Sequence, residues 1–272
     1  ELKSLTSAEI LEKVSDSAVP KAGSGVLKLL ILAILAGAYI AFGAQASAMV
    51  SFNLVADAST FGLGKLISAV VFPVGLMMVV LCGAELFTGN MLMVTGLASK
   101  KIKLDGLVRN WVIVWLGNLV GSLIVVALIY WCGVGAMNGG AVGDAMVSVA
   151  VGKVTPDWLV LMAKGIMCNV MVCLAVWIGF SARTVVDKVL GTMLPISFFV
   201  AAGFEHCVAN MFFLPTGLLM KSAGFGAAVA NAGALDVTAI LYNLSAATVG
   251  NIIGGVLVGL AYWFVYARNK AK

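Results

Sequence analysis

The chain has 272 residues, of which 62% are hydrophobic and 11% are charged, and its mean hydropathy is +1.08. A soluble domain is about half apolar and about a quarter charged, so this composition excludes an ordinary globular core and indicates an integral membrane protein. The net charge of +5 is small and no basic run is interleaved with aromatic residues, so nucleic acid is not an expected partner. The five cysteines lack CxxC spacing and there is one histidine, so we expect no metal site and no cofactor.

The N-terminal segment, residues 1–26, is polar, and we expect it in the cytoplasm with a short amphipathic helix over 6–19. Thr6 and Glu9 have the spacing of a capping box, and Pro20 is expected to end the helix. An apolar stripe follows the box at Ile10, Leu11, Val14 and Ala18. Because this helix is too short and too polar to cross a bilayer, we expect it to lie on the membrane surface.

Six apolar segments exceed the roughly 20 residues that a membrane span requires. They are 27–50, 63–98, 107–131, 158–182, 188–222 and 243–267. The second and fifth are too long for one span, and each contains a polar patch, "GAELFTGN" (83–90) and "GFEHCVAN" (203–210). Such backbone is tolerated at membrane depth only where it is buried in protein or lines a cavity, so we expect two broken helices. Residues 132–157 are expected to form an extracytoplasmic loop.

Lysine and arginine are distributed unevenly between the two ends of the expected spans. One side would carry four of them, Lys65, Lys153, Lys164 and Lys221. The other side would carry thirteen, which are Lys3, Lys13, Lys21, Lys28, Lys100, Lys101, Lys103, Arg109, Arg183, Lys188, Arg268, Lys270 and Lys272. The positive-inside rule then predicts a multi-pass protein of a cell inner membrane with both termini, including the tail 268–272, in the cytoplasm.

The two polar patches repeat one pattern, G-x-E-x-x-x-[GA]-N-M, and the third and sixth spans share "GNLVGS" (117–122) and "GNIIGG" (250–255). The common order indicates that 27–131 and 158–267 are repeats of three spans each. Because three is odd, the second repeat enters the membrane from the opposite side, and such inverted repeats place the substrate site near the midplane. The shared GxxxG spacings allow close helix approach within a protomer or between protomers.

The repeat separates shared polar residues from unshared ones. The shared residues, which we interpret as caps that tie down the broken loops, are Glu85, Asn90, Glu205 and Asn210. His206 instead corresponds to Leu86, and Thr88 corresponds to Val208. A polar residue that the scaffold does not require in both halves is a candidate for function, and intramembrane polar groups are functional by default. His206 and Thr88 are therefore the candidates at the centre.

Three motifs in different spans resemble those of the formate/nitrite transporter family. They are "VLCGAELFTG" (80–89), "GIMCNVMVCLA" (165–175) and "GFEHCVANMF" (203–212), and the spacing fits from about residue 20 to 268. This family includes formate, nitrite and hydrosulfide channels, and the resemblance favours the hydrosulfide branch. It implies a homopentamer in a lipid bilayer, with one pore through each protomer and an aquaporin-like backbone.

The resemblance also implies roles for individual residues. The central histidine of the family falls on His206, its loop threonine on Thr88, and its fourth-helix asparagine on Asn169. A vestibule lysine falls on Lys153. The residues of the apolar constrictions fall on Phe72, Leu76, Leu86 and Phe199.

The expected function is a channel for small monovalent weak-acid anions, with hydrosulfide first and formate or nitrite next. A bare anion at membrane depth costs on the order of 20 kcal/mol, and half-helix N-termini, Lys153 and His206 could lower that barrier. A proton-coupled symporter would use the same residues, so this alternative stays open. A neutral-solute pore of the aquaporin type is disfavoured because the Asn-Pro-Ala pair is missing. An enzyme is not expected, because no Ser/His/Asp set is found.

Overall fold

The computed structural model describes residues 5–267, so Lys3, Arg268, Lys270, Lys272 and the predicted tail 268–272 lie outside the described residues. Within that range the chain is all-α, as predicted, and contains no strand. The α-helices are α1 (Ser7–Gly23), α2 (Val26–Ser51), α3 (Phe61–Val71), α4 (Val74–Cys82), α5 (Val94–Ala98), α6 (Leu104–Trp131), α7 (Ala141–Val154), α8 (Trp158–Ser181), α9 (Val185–Ala202), α10 (Cys207–Ser222) and α11 (Val237–Ala267). Short 3-10 helices cover Gly89–Met93, Val134–Gly140 and Ala232–Ala234.

Seven helical stretches of the described chain are long and apolar enough to cross a membrane by length and composition. Six of them fall on the six predicted segments: α2, the α3–α4 pair, α6, α8, α9 and α11. The outward faces of these helices expose large apolar side chains such as Leu27, Leu116 and Leu257, which is expected of surfaces that face lipid. The chain is therefore a multi-pass membrane protein.

The second and fifth spans are broken, as predicted. α4 ends at Gly83 and α9 ends at Gly203, where φ is 76° and 73°, a left-handed conformation that glycine adopts without a steric cost. The chain then runs without helix to a turn and the 3-10 helix at Gly89, or directly to α10 at Cys207. We call residues 83–88 the first break and residues 203–206 the second break.

The expectation of a loop over 132–157 is wrong, because α7 and the 3-10 helix before it occupy most of that segment. α7 buries Val147, Ala150, Val151 and Val154, which have helical spacing, and packs against α10. Together Val134–Val154 form the seventh apolar stretch, but α7 alone has 14 residues, fewer than the roughly 20 that a span needs. The glycines that precede α7 are typical of a loop, and they led to the prediction of a loop over the whole segment.

The predicted N-terminal helix exists with its capping box, since the Thr6 and Glu9 side chains each accept from the other residue's backbone N–H. Two expectations about it are wrong. Its apolar stripe is buried against α5 and α11 rather than left for a membrane surface, with Val14 and Ala18 at most 1% exposed. Pro20 does not end the helix, which continues to Gly23. Proline has no backbone N–H, so it removes only one hydrogen bond from this last turn.

Each repeat is held together by an equivalent close helix pair, α2 with α6 in the first and α8 with α11 in the second. A Cβ on Gly121 would collide with the carbonyl oxygen of Ile34, and a Cβ on Gly254 would collide with that of Ile166. The GxxxG spacings therefore serve helix packing within one chain. This packing fixes α6 and α11 beside the two breaks.

Candidate functional site

The first break is held by Asn118, a buried residue on α6. Its side-chain oxygen accepts from the Phe87 backbone N–H at 2.9 Å. Its amide donates to the carbonyls of Ala33 at 2.7 Å and Glu85 at 3.0 Å. Backbone groups that the broken helix leaves without partners are thereby satisfied inside the protein, as membrane depth requires.

The second break is held in the same way by Asn251 on α11. Its side-chain oxygen accepts from the Cys207 N–H at 2.9 Å. Its amide donates to the carbonyls of Gly165 at 2.8 Å and Glu205 at 2.9 Å. The two asparagines occupy corresponding positions in the repeats, so the inverted repeat extends to individual hydrogen bonds.

Glu85 in the first break belongs to a polar cluster closed by the end of α1. The Lys21 ammonium lies 2.7 Å from both Glu85 carboxylate oxygens and 2.9 Å from the Asn90 side-chain oxygen. The Asn90 amide donates to Glu85 at 2.7 Å and to Asn110 at 2.9 Å. Asn110 in turn donates to the Lys21 carbonyl at 3.2 Å. We call these four residues the Lys21 cluster.

Glu205 in the second break belongs to an equivalent cluster closed by the end of α7. The Lys153 ammonium lies 3.1 Å from both Glu205 oxygens. The Asn210 amide donates to Glu205 at 2.5 Å and to Asn243 at 2.8 Å, and Asn243 donates to the Lys153 carbonyl at 2.7 Å. We call these residues the Lys153 cluster. The helices α1 and α7 are thus equivalent parts of the two repeats.

The unshared polar residues meet between the two breaks. Thr88 Oγ1 lies 2.9 Å from His206 Nε2, and both side chains are almost fully buried. His206 also caps α10, because its Nδ1 accepts from the Ala209 backbone N–H at 3.0 Å. An accepting Nδ1 carries no proton, so we assign the proton of the neutral ring to Nε2, which donates to Thr88. The threonine hydroxyl hydrogen then remains available to a ligand.

Asn169 on α8 lies beside this pair but does not bond to the histidine in the described structure. Its amide donates to the carbonyls of Thr88 at 3.2 Å and Asn251 at 2.6 Å. Its side-chain oxygen is buried without a hydrogen-bond partner. Asn169 therefore fixes the backbone that carries the Thr88 hydroxyl.

The four predicted constriction residues lie on either side of the Thr88–His206 pair, and each is at most 3% exposed. The Phe72 and Phe199 rings meet edge to face with centroids 5.6 Å apart, and Phe199 stacks on the imidazole at 5.8 Å. Leu76 and Leu86 lie toward the opposite side of the pair. Apolar walls without polar partners oppose the passage of a hydrated ion.

Two cavities approach the pair from opposite directions. One, of about 420 Å³, is lined by Lys65, Lys153, Phe72, Phe199 and His206 among others, and we call it the Lys153 cavity. The other, of about 280 Å³, is lined by Lys21, Glu85, Leu76, Leu86 and Lys188 among others, and we call it the Lys21 cavity. His206 lines the Lys153 cavity and Leu86, two residues before Thr88, lines the Lys21 cavity, so the buried pair lies between the two.

Sequence reasoning missed several residues of the site. These are Lys21, Asn110, Asn118, Asn243 and Asn251. The asparagines left a signal, because the third and sixth spans each carry two of them at the same spacing. Lys21 left no such signal, because it lies before the first span and therefore outside the repeat.

These features define a class, a membrane transport protein in which two inverted repeats meet at a buried polar pair between two cavities. Residues 8–264 match the family model described as formate/nitrite transporter. The chain therefore belongs to the formate/nitrite transporter family.

Named relatives agree with that assignment. The formate channel FocA of Escherichia coli (strain K12) is 38% identical over 279 residues, which covers 98% of this chain and 96% of that protein. A solved structure described as a pentameric formate channel with formate bound superposes with a TM-score of 0.80 at 38% identity, over 89% of this chain and 98% of that one. A structure described as an FNT family ion channel gives 0.82 at 29% identity, over 94% and 98%.

Proposed function

We propose that this protein is a channel for small monovalent weak-acid anions, a class that includes formate, nitrite and hydrosulfide. The observation that carries the proposal is the buried Thr88–His206 hydrogen bond at the junction of the two cavities. It offers the Thr88 hydroxyl hydrogen, oriented by the imidazole, where the path is otherwise apolar. The names of the relatives support formate as a member of the class, while hydrosulfide, placed first from the sequence, remains a prediction.

The proposed passage begins with loss of water. An anion that leaves either cavity enters the apolar walls, Phe72 and Phe199 on one side or Leu76 and Leu86 on the other, and sheds its hydration shell. Full desolvation of a charge costs on the order of 20 kcal/mol, so replacement donors are required at that depth. The Thr88 hydroxyl, oriented by the His206 Nε2–H, can donate to the anion.

The centre must bind the anion weakly. One or two hydrogen bonds offset part of the lost hydration, whereas a fixed positive charge would retain the ion. The histidine geometry supports this, because protonation of Nδ1 would break the cap that it makes with Ala209. His206 in its neutral form therefore acts as a hydrogen-bond donor through its Nε2–H and keeps that proton.

The same comparison and the charges support a proposed assembly and orientation. The pentameric state described for the structural relative supports a homopentamer with one pore in each protomer. The positive-inside rule supports an inner-membrane protein whose Lys21 cavity opens to the cytoplasm and whose Lys153 cavity opens to the other side. In this arrangement Lys153 stands at the outer vestibule.

Flux into proteoliposomes tests the proposal. Formate, nitrite, hydrosulfide and sulfate are compared with and without a pH gradient, and protein-free liposomes serve as the control. We expect the three monovalent anions to move down their own gradients without a pH gradient, and sulfate to be excluded. Passage of sulfate with none of the monovalent anions would contradict the proposal, and flux that stops without a pH gradient would indicate a proton-coupled symporter.

A further inference from the structure

The lysine at each buried cluster contributes little net charge to its cavity. The Lys153 ammonium contacts both oxygens of Glu205 and also lies over the Phe213 ring, 5.4 Å from its centroid. The Lys21 ammonium is matched in the same way by Glu85. Each pair sums to zero charge, so the long-range field that attracts an anion must come from another group.

Lys65 supplies such a charge in the Lys153 cavity. It lies on α3 and lines the cavity, and no carboxylate among the described residues lies within 4.0 Å of its ammonium. The charged groups around it are Lys153, Glu205 and Lys164. Because Glu205 is already matched by Lys153, the cavity keeps one positive charge at Lys65.

Two serine hydroxyls lie in the same cavity, between this charge and the constriction. Lys65 and Ser68 lie about one turn apart on α3 and Phe72 directly follows its last residue, so the three span about 10 Å along the helix direction. Ser68 Oγ lies 2.5 Å from Ser47 Oγ on α2. One hydroxyl hydrogen forms that bond, and the other is available to an anion.

The opposite cavity lacks this arrangement. In the repeat, Lys65 corresponds to Val185 and Ser68 corresponds to Lys188, a residue that lines the Lys21 cavity. The combination of a lysine with a hydroxyl pair one turn deeper thus belongs to the Lys153 cavity. As at Thr88 and His206, the scaffold does not require it in both halves.

We propose that Lys65, Ser68 and Ser47 form a capture site for small monovalent anions in the Lys153 cavity, which holds the ion before it enters the Phe72–Phe199 constriction. The inference rests on the channel function proposed above. Lys65 attracts the anion, and the serine pair replaces part of its hydration.

The test measures formate uptake against formate concentration in right-side-out and in inverted membrane vesicles, from a bacterial host without its own formate channels. The variants are Lys65→Gln, Lys65→Arg and Ser68→Ala. Lys164→Gln is the matched control, since it removes one charge near this cavity from a residue that does not line it. Size-exclusion chromatography verifies that each variant keeps the wild-type assembly.

We expect Lys65→Gln to raise the KM for uptake about tenfold at low salt in the vesicles whose Lys153 cavity faces the medium, with the maximal rate unchanged. Ser68→Ala should raise the KM by a smaller factor, and Lys65→Arg, which keeps the charge, should leave the KM at the wild-type value. In about 1 M salt, where the Debye length is about 3 Å, the effect of Lys65→Gln should fall below about twofold.

Several results would overturn the capture site. These are an unchanged KM in both vesicle types, a lower maximal rate that Lys65→Arg does not restore, or an equal effect of Lys164→Gln. Absence of formate uptake by the wild-type protein would instead contradict the channel function itself, so the two failures are distinguishable.

Discussion

The first and second breaks are built from corresponding parts. Both begin at a left-handed glycine, both are tied down by an asparagine from the last helix of their repeat, and both carry a glutamate held by a lysine. At two positions within the pattern, one break has a polar side chain where the other has an apolar one. Leu86 of the first break corresponds to His206 of the second, and Thr88 of the first break corresponds to Val208.

The difference separates scaffold from chemistry. The shared residues satisfy backbone groups and buried charges, which any interrupted membrane helix must do. The unshared residues add a hydroxyl in one half and an imidazole in the other. The fold does not require either group, because the corresponding position in the other half is apolar. The comparison therefore predicts that paired substitutions at shared positions act alike on stability, while substitutions at unshared positions act on transport.

The largest effects on stability are expected at Asn118 and Asn251. Changing either residue to Leu removes three hydrogen bonds and leaves buried backbone groups unsatisfied, at about 1–3 kcal/mol each. We expect a loss of roughly 3–6 kcal/mol from either change, seen as a large fall in the thermal unfolding midpoint of the detergent-solubilised protein. Asn53→Leu, at an exposed site, is the control. A loss of stability at only one of the two positions would contradict the equivalence of the two breaks.

A smaller loss of stability is expected from changes to the glutamates, and this loss should differ between the two halves. Glu205→Gln leaves the Lys153 ammonium without a counter-charge, which we expect to cost about 3 kcal/mol. Glu85→Gln should cost less, because the Lys21–Glu85 side chains are 24% and 13% exposed against 18% and 6% for Lys153–Glu205.

The same unfolding measurement checks these variants. The double change Lys153→Gln with Glu205→Gln serves as the matched control, because it removes both charges and should recover part of the stability. An equal loss at the two glutamates, or no recovery in the double variant, would show that burial of the ion pair does not set its cost.

The sequence was sufficient for the broken helices and for the inverted repeat, because both depend on local patterns. Apolar length marks a span, and a polar patch within it cannot face lipid. The Thr88–His206 contact follows from the same reasoning, since unshared residues on the two breaks meet where the repeats meet. The structure has that contact at 2.9 Å.

The closure of the two clusters could not be read from the sequence. Lys21 reaches Glu85 only because α1 folds back over the first break, and Lys153 reaches Glu205 only because α7 packs on α10. Those approaches depend on tertiary packing of short helices, which hydropathy does not report. The partner of Asn169 shows the same limit, because no sequence pattern indicates that its amide donates to the carbonyl of Thr88.

The smallest effect on stability and the sharpest effect on transport are expected from His206→Asn. Asparagine is a strong N-cap residue, so its side chain can replace the imidazole as acceptor for the Ala209 N–H, and the loss should be limited to about 1 kcal/mol for the bond to Thr88. The asparagine side chain is shorter and has no titratable ring, so we expect it to lose the bond to Thr88 and to change anion selectivity and the pH dependence of flux. Leu86→Met, at the corresponding position of the first break, is the control for altered packing and should keep the wild-type pH profile. Wild-type selectivity and pH profile in a correctly assembled His206→Asn protein would leave the histidine with the capping role alone, and the two halves would then be equivalent in function as well as in scaffold.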